Sequence, residues 1–334
     1  MSNPGRTPAL PLHSSRGVCY KVIVAPGRKS MNRYVLLLVF AIIMVLVSVS
    51  AQSSDSGYTE QASHPGVAVS QSSPASVSKV PPGEEQAKAA LERSPRHGEY
   101  VDMKIEGSDH PLLTWVVYPE RKDKAPVVIV IHEIYGLTEW IRAVADQLAA
   151  DGFIAVAPDF ISGKGPGGGG TASVQSRDDV VKLIRGLAAE EVNMKLNAVR
   201  SYAIKLPSAN GKSSVAGFCW GGGKSFGYAA AQPGLNAAVV YYGTSPDAKE
   251  LGSIKAPVLG LCGGDDARVN ATIEPAAGEM KKLGKVYEVE IYEGAGHGFL
   301  RQQDGRDGAN MRASQQAWQR MLGFLKKHLS PLPQ

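Results

Sequence analysis

Apolar and polar positions change rhythm along this chain, and from residue 98 onward the rhythm is that of alternating strands and helices. Residues 100–106 alternate, and residues 112–118 are apolar and β-branched, which predicts an antiparallel pair at a sheet edge. Residues 127–131, Val-Val-Ile-Val-Ile, are continuously apolar and predict a central strand buried on both faces. Residues 139–150 are amphipathic, with Trp140, Val144 and Leu148 on one face, and Gly152 ends that helix. Further strands are predicted at 153–157, 213–216, 237–241, 258–262 and 287–292. Helices are predicted at 273–283 and 311–328, with a long helical stretch at 177–206 broken near 190–193. Strand and helix alternate throughout, so the expected fold class is α/β, a doubly wound and mostly parallel sheet with helices on both faces. One domain is expected over residues 98–330.

Upstream the pattern differs. Residues 35–47 form an unbroken apolar run, preceded by Arg33 and followed by the small residues Ser48, Ser50 and Ala51. The run is short for a bilayer, so residues 31–51 read as a secretory signal peptide, with an uncleaved N-terminal anchor as the alternative. Residues 1–30 form a basic leader, and Met31 stands where the signal would naturally start. An exported protein, periplasmic or secreted, is the expectation. Residues 52–97 are rich in Ser, Gln, Pro and charge and read as a disordered linker, within which 84–93 has the pattern of one short helix.

The leader changes the charge reading. Of 36 basic side chains, six lie in residues 1–51, leaving 30 against 31 acidic ones. Nothing then suggests a nucleic-acid surface. Cysteines are few: beyond Cys19 in the leader there are only Cys219 and Cys262, and no disulfide framework is evident. Cys262 sits in an apolar strand and reads as a packed residue. The glycine-rich stretch 162–173 lacks the Gly-Lys-Ser/Thr of a phosphate loop and reads as a mobile loop near the site.

Cys219 is different. It lies in Gly217-Phe218-Cys219-Trp220-Gly221-Gly222, between a short apolar strand and a segment of small residues. Gly-x-nucleophile-x-Gly on a strand–turn–helix is the pattern of a nucleophile elbow. The helix N-terminus that follows favours a thiolate there. Other strand ends carry Glu133, then Asp265 and Asp266, then His297. The order Cys219, Asp266, His297 is nucleophile, acid, base. His297 can move the thiol proton, Asp266 can orient the imidazole, and the backbone N–H groups of Trp220 and Ile134 can face an oxyanion. Asp265 competes with Asp266, which the Gly-x-x-Asp-x-x-Val spacing favours. His132 reads as structural, and Trp140 and Trp318 as core. The two cysteines with His132 and His297 lack the paired spacing of a zinc site.

The elbow, Gly263-x-x-Asp266-x-x-Val269, Gly296-His297-Gly298-Phe299 and the early His132-Glu133-Ile134-Tyr135-Gly136 together resemble the dienelactone hydrolases (carboxymethylenebutenolidases), over roughly residues 98–329. The resemblance implies an α/β-hydrolase fold and a Cys-His-Asp hydrolase of lactones or esters, acting without metal or organic cofactor. It also implies that Glu133 is paired with an arginine until the carboxylate of an anionic substrate draws that arginine away, whereupon Glu133 takes the thiol proton. Arg301 matches the position of that arginine, Arg177 stands as a second, and Tyr135 as a further substrate-binding residue. The leader and linker depart from the compact family pattern, and the bulk of Trp220 points to a narrower pocket and a different substrate. The expected partner is a small-molecule lactone or ester, with the membrane touched only through an uncleaved anchor and the protein a monomer. Two other functions compete: a general esterase or thioesterase for neutral acyl compounds, and a catalytically silent binding protein that keeps the fold.

Overall fold

A computed structural model of the chain describes residues 80–330. The basic leader, the signal or anchor at 31–51, and residues 52–79 of the expected linker lie outside the described residues. The architecture is one eight-stranded sheet covered on both faces by helices. Its first half holds β1 (Gly98–Met103), β2 (Leu112–Val117), β3 (Ala125–Ile131) and β4 (Ile154–Pro158). The second half holds β5 (Ala209–Phe218), β6 (Ala237–Tyr241), β7 (Val258–Gly263) and β8 (Tyr287–Tyr292). The strand order is β1-β2-β4-β3-β5-β6-β7-β8. β1 and β2 pair antiparallel, as do β2 and β4, and every pair from β4 to β8 is parallel. The mostly parallel sheet with an antiparallel edge pair is the expected arrangement.

Both faces of β3 are buried because alternate residues point opposite ways. Val128 and Val130 pack with α2 (Glu139–Ala150) and the long α9 (Ala309–Leu329). Val127, Ile129 and Ile131 pack on the other side with α3 (Arg177–Arg185), α4 (Ala189–Ala203), α5 (Trp220–Ala231) and α8 (Ile273–Lys282). Trp140 and Trp318 are buried in the first layer, as expected of core residues. α2 begins where the sequence pattern places it, with Thr138 accepting the amide of Ile141 as N-cap. Among the described residues no helix is long and apolar enough to cross a membrane.

Several expectations are corrected. The predicted break at 190–193 falls earlier: Gly186 closes α3 and Ala188, in an extended conformation, precedes α4. The glycine-rich stretch is tied down. Thr171 donates its N–H and hydroxyl to the buried Asp159 at 2.6 and 2.8 Å, and its hydroxyl accepts the Leu137 amide at 3.1 Å. Two short helices, α6 (Ala248–Leu251) and α7 (Ala267–Asn270), carry too few residues to leave a periodic signal.

The largest correction concerns residues 80–97, read from composition as part of the disordered linker. They are docked. The short helix expected there is α1 (Ala87–Glu92), which packs against α2 with Ala87 fully buried. Arg96 Nε donates to Asp146 Oδ1 at 3.0 Å, and Gln303 Nε2 donates to the Pro81 carbonyl at 2.8 Å. A few directional contacts supply the order that polar composition does not reveal.

Candidate active site

The parallel register brings the C-terminal ends of β3, β5, β6, β7 and β8 to one edge. Ile131 pairs with Gly217, Phe218 with Tyr241, and Gly263 with Tyr292. At that edge β5 passes into α5 through a single residue, Cys219, at φ 55° and ψ −115°. A non-glycine residue with that backbone is strained, and the surroundings must hold it. They do so by close approach. A Cβ on Gly217 would collide with the Gly221 carbonyl, and one on Gly221 with the carbonyls of Ile131 and His132. Glycine is required at both positions because backbone occupies the space of a side chain.

Cys219, His297 and Asp266 meet although they lie on three different loops. Asp266 Oδ2 is 2.5 Å from His297 Nδ1, and His297 Nε2 is 3.1 Å from Cys219 Sγ. With Nδ1–H donating to the carboxylate, Nε2 is left to accept from the thiol. Asp266 is buried, and its other oxygen accepts the Val269 amide at the start of α7. Asp265 points outward to Arg306, 2.6 Å away, so of the two acids it is Asp266 that faces the imidazole. The Tyr242 ring packs edge-to-face with the imidazole, ring centroids 5.2 Å apart.

Burial pushes the Cys219 thiol up to about 11, and the nearby charge of Glu133 pushes the same way. Hydrogen bonds from the backbone N–H groups of Trp220 and Ile134, and the charge of Arg268, oppose this without prevailing. The helix N-terminus was expected to favour a thiolate. Desolvation outweighs it, and burial favours the protonated thiol. Those two N–H groups are thus near enough to the sulfur to act on it. The second free cysteine, Cys262, is packed in β7 with Val269, Ile273 and Val289.

Glu133 is buried, which raises its pKa, and Arg301 works against that rise. Arg301 Nε donates to Glu133 Oε2 at 2.6 Å. Arg301 also donates through Nη1 to Glu84, and Arg177 Nη2 donates to Glu84 Oε1 at 3.2 Å. The ring of Tyr135 lies under both guanidinium groups, 3.7 Å from Arg177 and 5.3 Å from Arg301. All the expected residues of this half of the site are thus together, joined by a Glu84 that was not expected. His132 is buried beside them in a structural place. Its Nδ1 lies 2.7 Å from the Glu133 carbonyl, its Nε2 accepts the Phe160 amide, and its ring stacks on Trp220 at 5.5 Å.

A cavity of about 690 Å³ opens over the sulfur. Tyr135 and Trp220 line it, and so do three cations, Arg185, Lys224 and Arg268, with no acidic side chain among the lining residues. Arg301 and Arg177 are not part of that lining. Among the described residues, no group of three or more His, Cys, Asp or Glu is placed to hold a metal ion.

Sequence reasoning passed over Arg268, Lys224, Arg185, Tyr242 and Glu84. Arg268 and Lys224 carried a signal, since each lies within five residues of a singled-out position. Tyr242 carried none. It holds a positive φ of 38° and a buried hydroxyl without a hydrogen-bond partner, both features of the folded state alone. Glu84 lay in a stretch read as linker.

A family model described as "Dienelactone hydrolase family" matches residues 112–329. A Salmonella typhimurium protein named "Putative carboxymethylenebutenolidase" is 32% identical over 239 residues, 67% of this chain and 84% of its own length. The carboxymethylenebutenolidase of Pseudomonas putida is 31% identical over 237 residues, 69% of this chain and 98% of its own. Among solved structures, a "Putative Dienelactone Hydrolase" from Klebsiella pneumoniae aligns with a TM-score of 0.61 at 28% identity, covering 70% of this chain and 99% of its own.

Proposed function

The chain belongs to the dienelactone hydrolase family and is a carboxylic ester hydrolase of α/β-hydrolase fold, and from that premise we propose that it opens lactones or esters through a covalent acyl-enzyme on Cys219. The carrying observation is the relay from Asp266 through His297 to the sulfur, with 2.5 and 3.1 Å steps. As Sγ attacks the carbonyl carbon, His297 Nε2 takes the thiol proton, and Asp266 stabilises the imidazolium. The oxyanion is stabilised by the Trp220 and Ile134 N–H groups, a role supported by their influence on the Cys219 sulfur. Collapse breaks the C–O bond, His297 returns the proton to the departing alkoxide, and a thioester remains. Water then attacks the thioester while His297 takes its proton, and the carboxylic acid leaves as the thiol is restored. In a lactone, alcohol and acid end on one molecule.

Glu133 stands as a second base. Its burial raises its proton affinity once Arg301 is drawn from it. A substrate bearing a carboxylate is supported by the cavity wall, where Arg185, Lys224 and Arg268 have no acidic neighbour in the lining. The alternative of neutral acyl substrates is favoured by one observation, that Glu84 together with Glu133 already neutralises Arg301 and Arg177.

Replacing Cys219 by Ala is expected to lower kcat by about 10³-fold or more, measured on an activated ester and on a dienelactone. Mass spectrometry should find an acyl adduct on Cys219 in the wild type; turnover retained by the variant would overturn the reading. Joint replacement of Lys224 and Arg268 by Ala should raise KM for a carboxylate-bearing ester by about tenfold relative to a neutral one. Export through the signal peptide at 31–51 is the proposed route out of the cytoplasm, and sequencing the N-terminus of the exported protein tests it.

A further inference from the structure

Glu84 is the member of the charged cluster to which the reaction assigns no role. It lies 217 residues from Arg301 along the chain and in the segment just before α1. Its carboxylate spans both guanidinium groups, through Arg301 Nη1 and Arg177 Nη2. Counting Glu133, two guanidinium groups and two carboxylates balance to zero around the Tyr135 ring. Without the Glu84 charge the cluster would hold one excess positive charge, with the Arg301 side chain only 10% exposed. An arginine held so far from water beside an aromatic face, with a free fork of donors, binds carboxylates well.

Contacts other than the Glu84 carboxylate hold the segment in place. The Glu84 amide donates to the Arg301 carbonyl at 3.0 Å. The Pro81 carbonyl is held by Gln303, Ala87 is buried, and Arg96 is paired with Asp146. Loss of the Glu84 charge therefore leaves the segment docked. A cavity of about 170 Å³ beside it is lined by Glu84, Gln86, Arg301 and Gln303 and also by the acidic Glu85 and Asp304, whose charges favour keeping the Glu84 carboxylate on the arginines. Tyr135, which both arginines cover, also lines the Cys219 cavity, so the site and the sulfur share a wall.

We propose that Glu84 is a resident carboxylate filling an anion site between Arg301 and Arg177, and that it is a specificity-determining residue which turns away compounds that would place a carboxylate there. A tethered carboxylate acts at an effective concentration of the order of millimolar or above. An external acid at micromolar concentration does not displace it.

The test is Glu84→Gln, which keeps the size of the side chain and removes its charge. The substrates are 4-nitrophenyl acetate and the mono-4-nitrophenyl ester of glutaric acid. The variant is expected to raise kcat/KM for the anionic ester relative to the neutral one by about tenfold, with the neutral ester changed by less than about twofold. A second readout needs no turnover: glutarate should protect Cys219 from iodoacetamide at about tenfold lower concentration in the variant than in the wild type. An unchanged ratio with unchanged protection would overturn the proposal, as would an equal fall for both esters. This inference rests on the hydrolase reading only in its kinetic arm. Failure of both proteins to hydrolyse either ester would count against that reading, and the protection assay would still decide the anion site.

Discussion

Cys219 carries two features that work against it in isolation: a backbone conformation that L residues avoid, and a thiol held protonated. Both are consistent with a nucleophile activated only as a carbonyl arrives, with His297 placed to take the proton. Because the thiol is raised to about 11, its thiolate fraction should climb about tenfold per pH unit from neutrality toward that value. Alkylation of Cys219 by iodoacetamide, followed against pH, should therefore show no plateau near pH 8.5, the ordinary thiol range; a plateau there would contradict the desolvated sulfur. His297→Gln and Asp266→Asn should each cost about 10²- to 10⁴-fold in kcat with the fold intact, read by steady-state kinetics beside circular dichroism. The cysteine, the histidine and the order of the three residues were legible in the sequence because the elbow and the Gly-His-Gly setting are local patterns. The choice between Asp265 and Asp266 rested on spacing. In the fold it rests on direction, one side chain turned to His297 and its neighbour to Arg306.

At the scale of elements, the elbow depends on backbone approach. Gly217→Ala would drive a methyl group into the Gly221 carbonyl, so a loss of about 3 kcal/mol is expected in denaturant unfolding. A large fall in activity should accompany it. Strand positions were readable because a sheet covered on both faces demands unbroken apolar runs, and 127–131 and 237–241 sit within or match the observed strands; the edge strand 287–292 was readable instead from its alternation of Tyr, Val and Ile with Glu. The break between α3 and α4 was misplaced because Gly186 ends one helix at a residue that composition alone does not distinguish from a tolerated interior glycine. The short α6 and α7 were missed because four residues make little more than one turn.

At the scale of the molecule, the docked segment 80–97 is part of the domain. A chain beginning at residue 98 would lose the burial of Ala87 and the Arg96–Asp146 pair, and would leave Arg301 short of one carboxylate. Its melting temperature should fall by about 5 °C or more against a chain beginning at residue 80, measured by calorimetry. Equal stability of the two chains would return these residues to the status of a tether.

The alternation of strands and helices, the elbow and the succession Cys219, Asp266, His297 were determined by the sequence itself, because periodicity and turn chemistry act over a few residues at a time. Tertiary structure alone decided the rest. Whether Cys219 is thiol or thiolate depends on how much water the fold removes and on which charges it brings near. Whether Arg301 meets a second carboxylate beside Glu133 depends on a glutamate far away in the chain, on a segment whose composition argued for disorder. Such charge pairings are set by distance in space, and no local pattern in the chain records them.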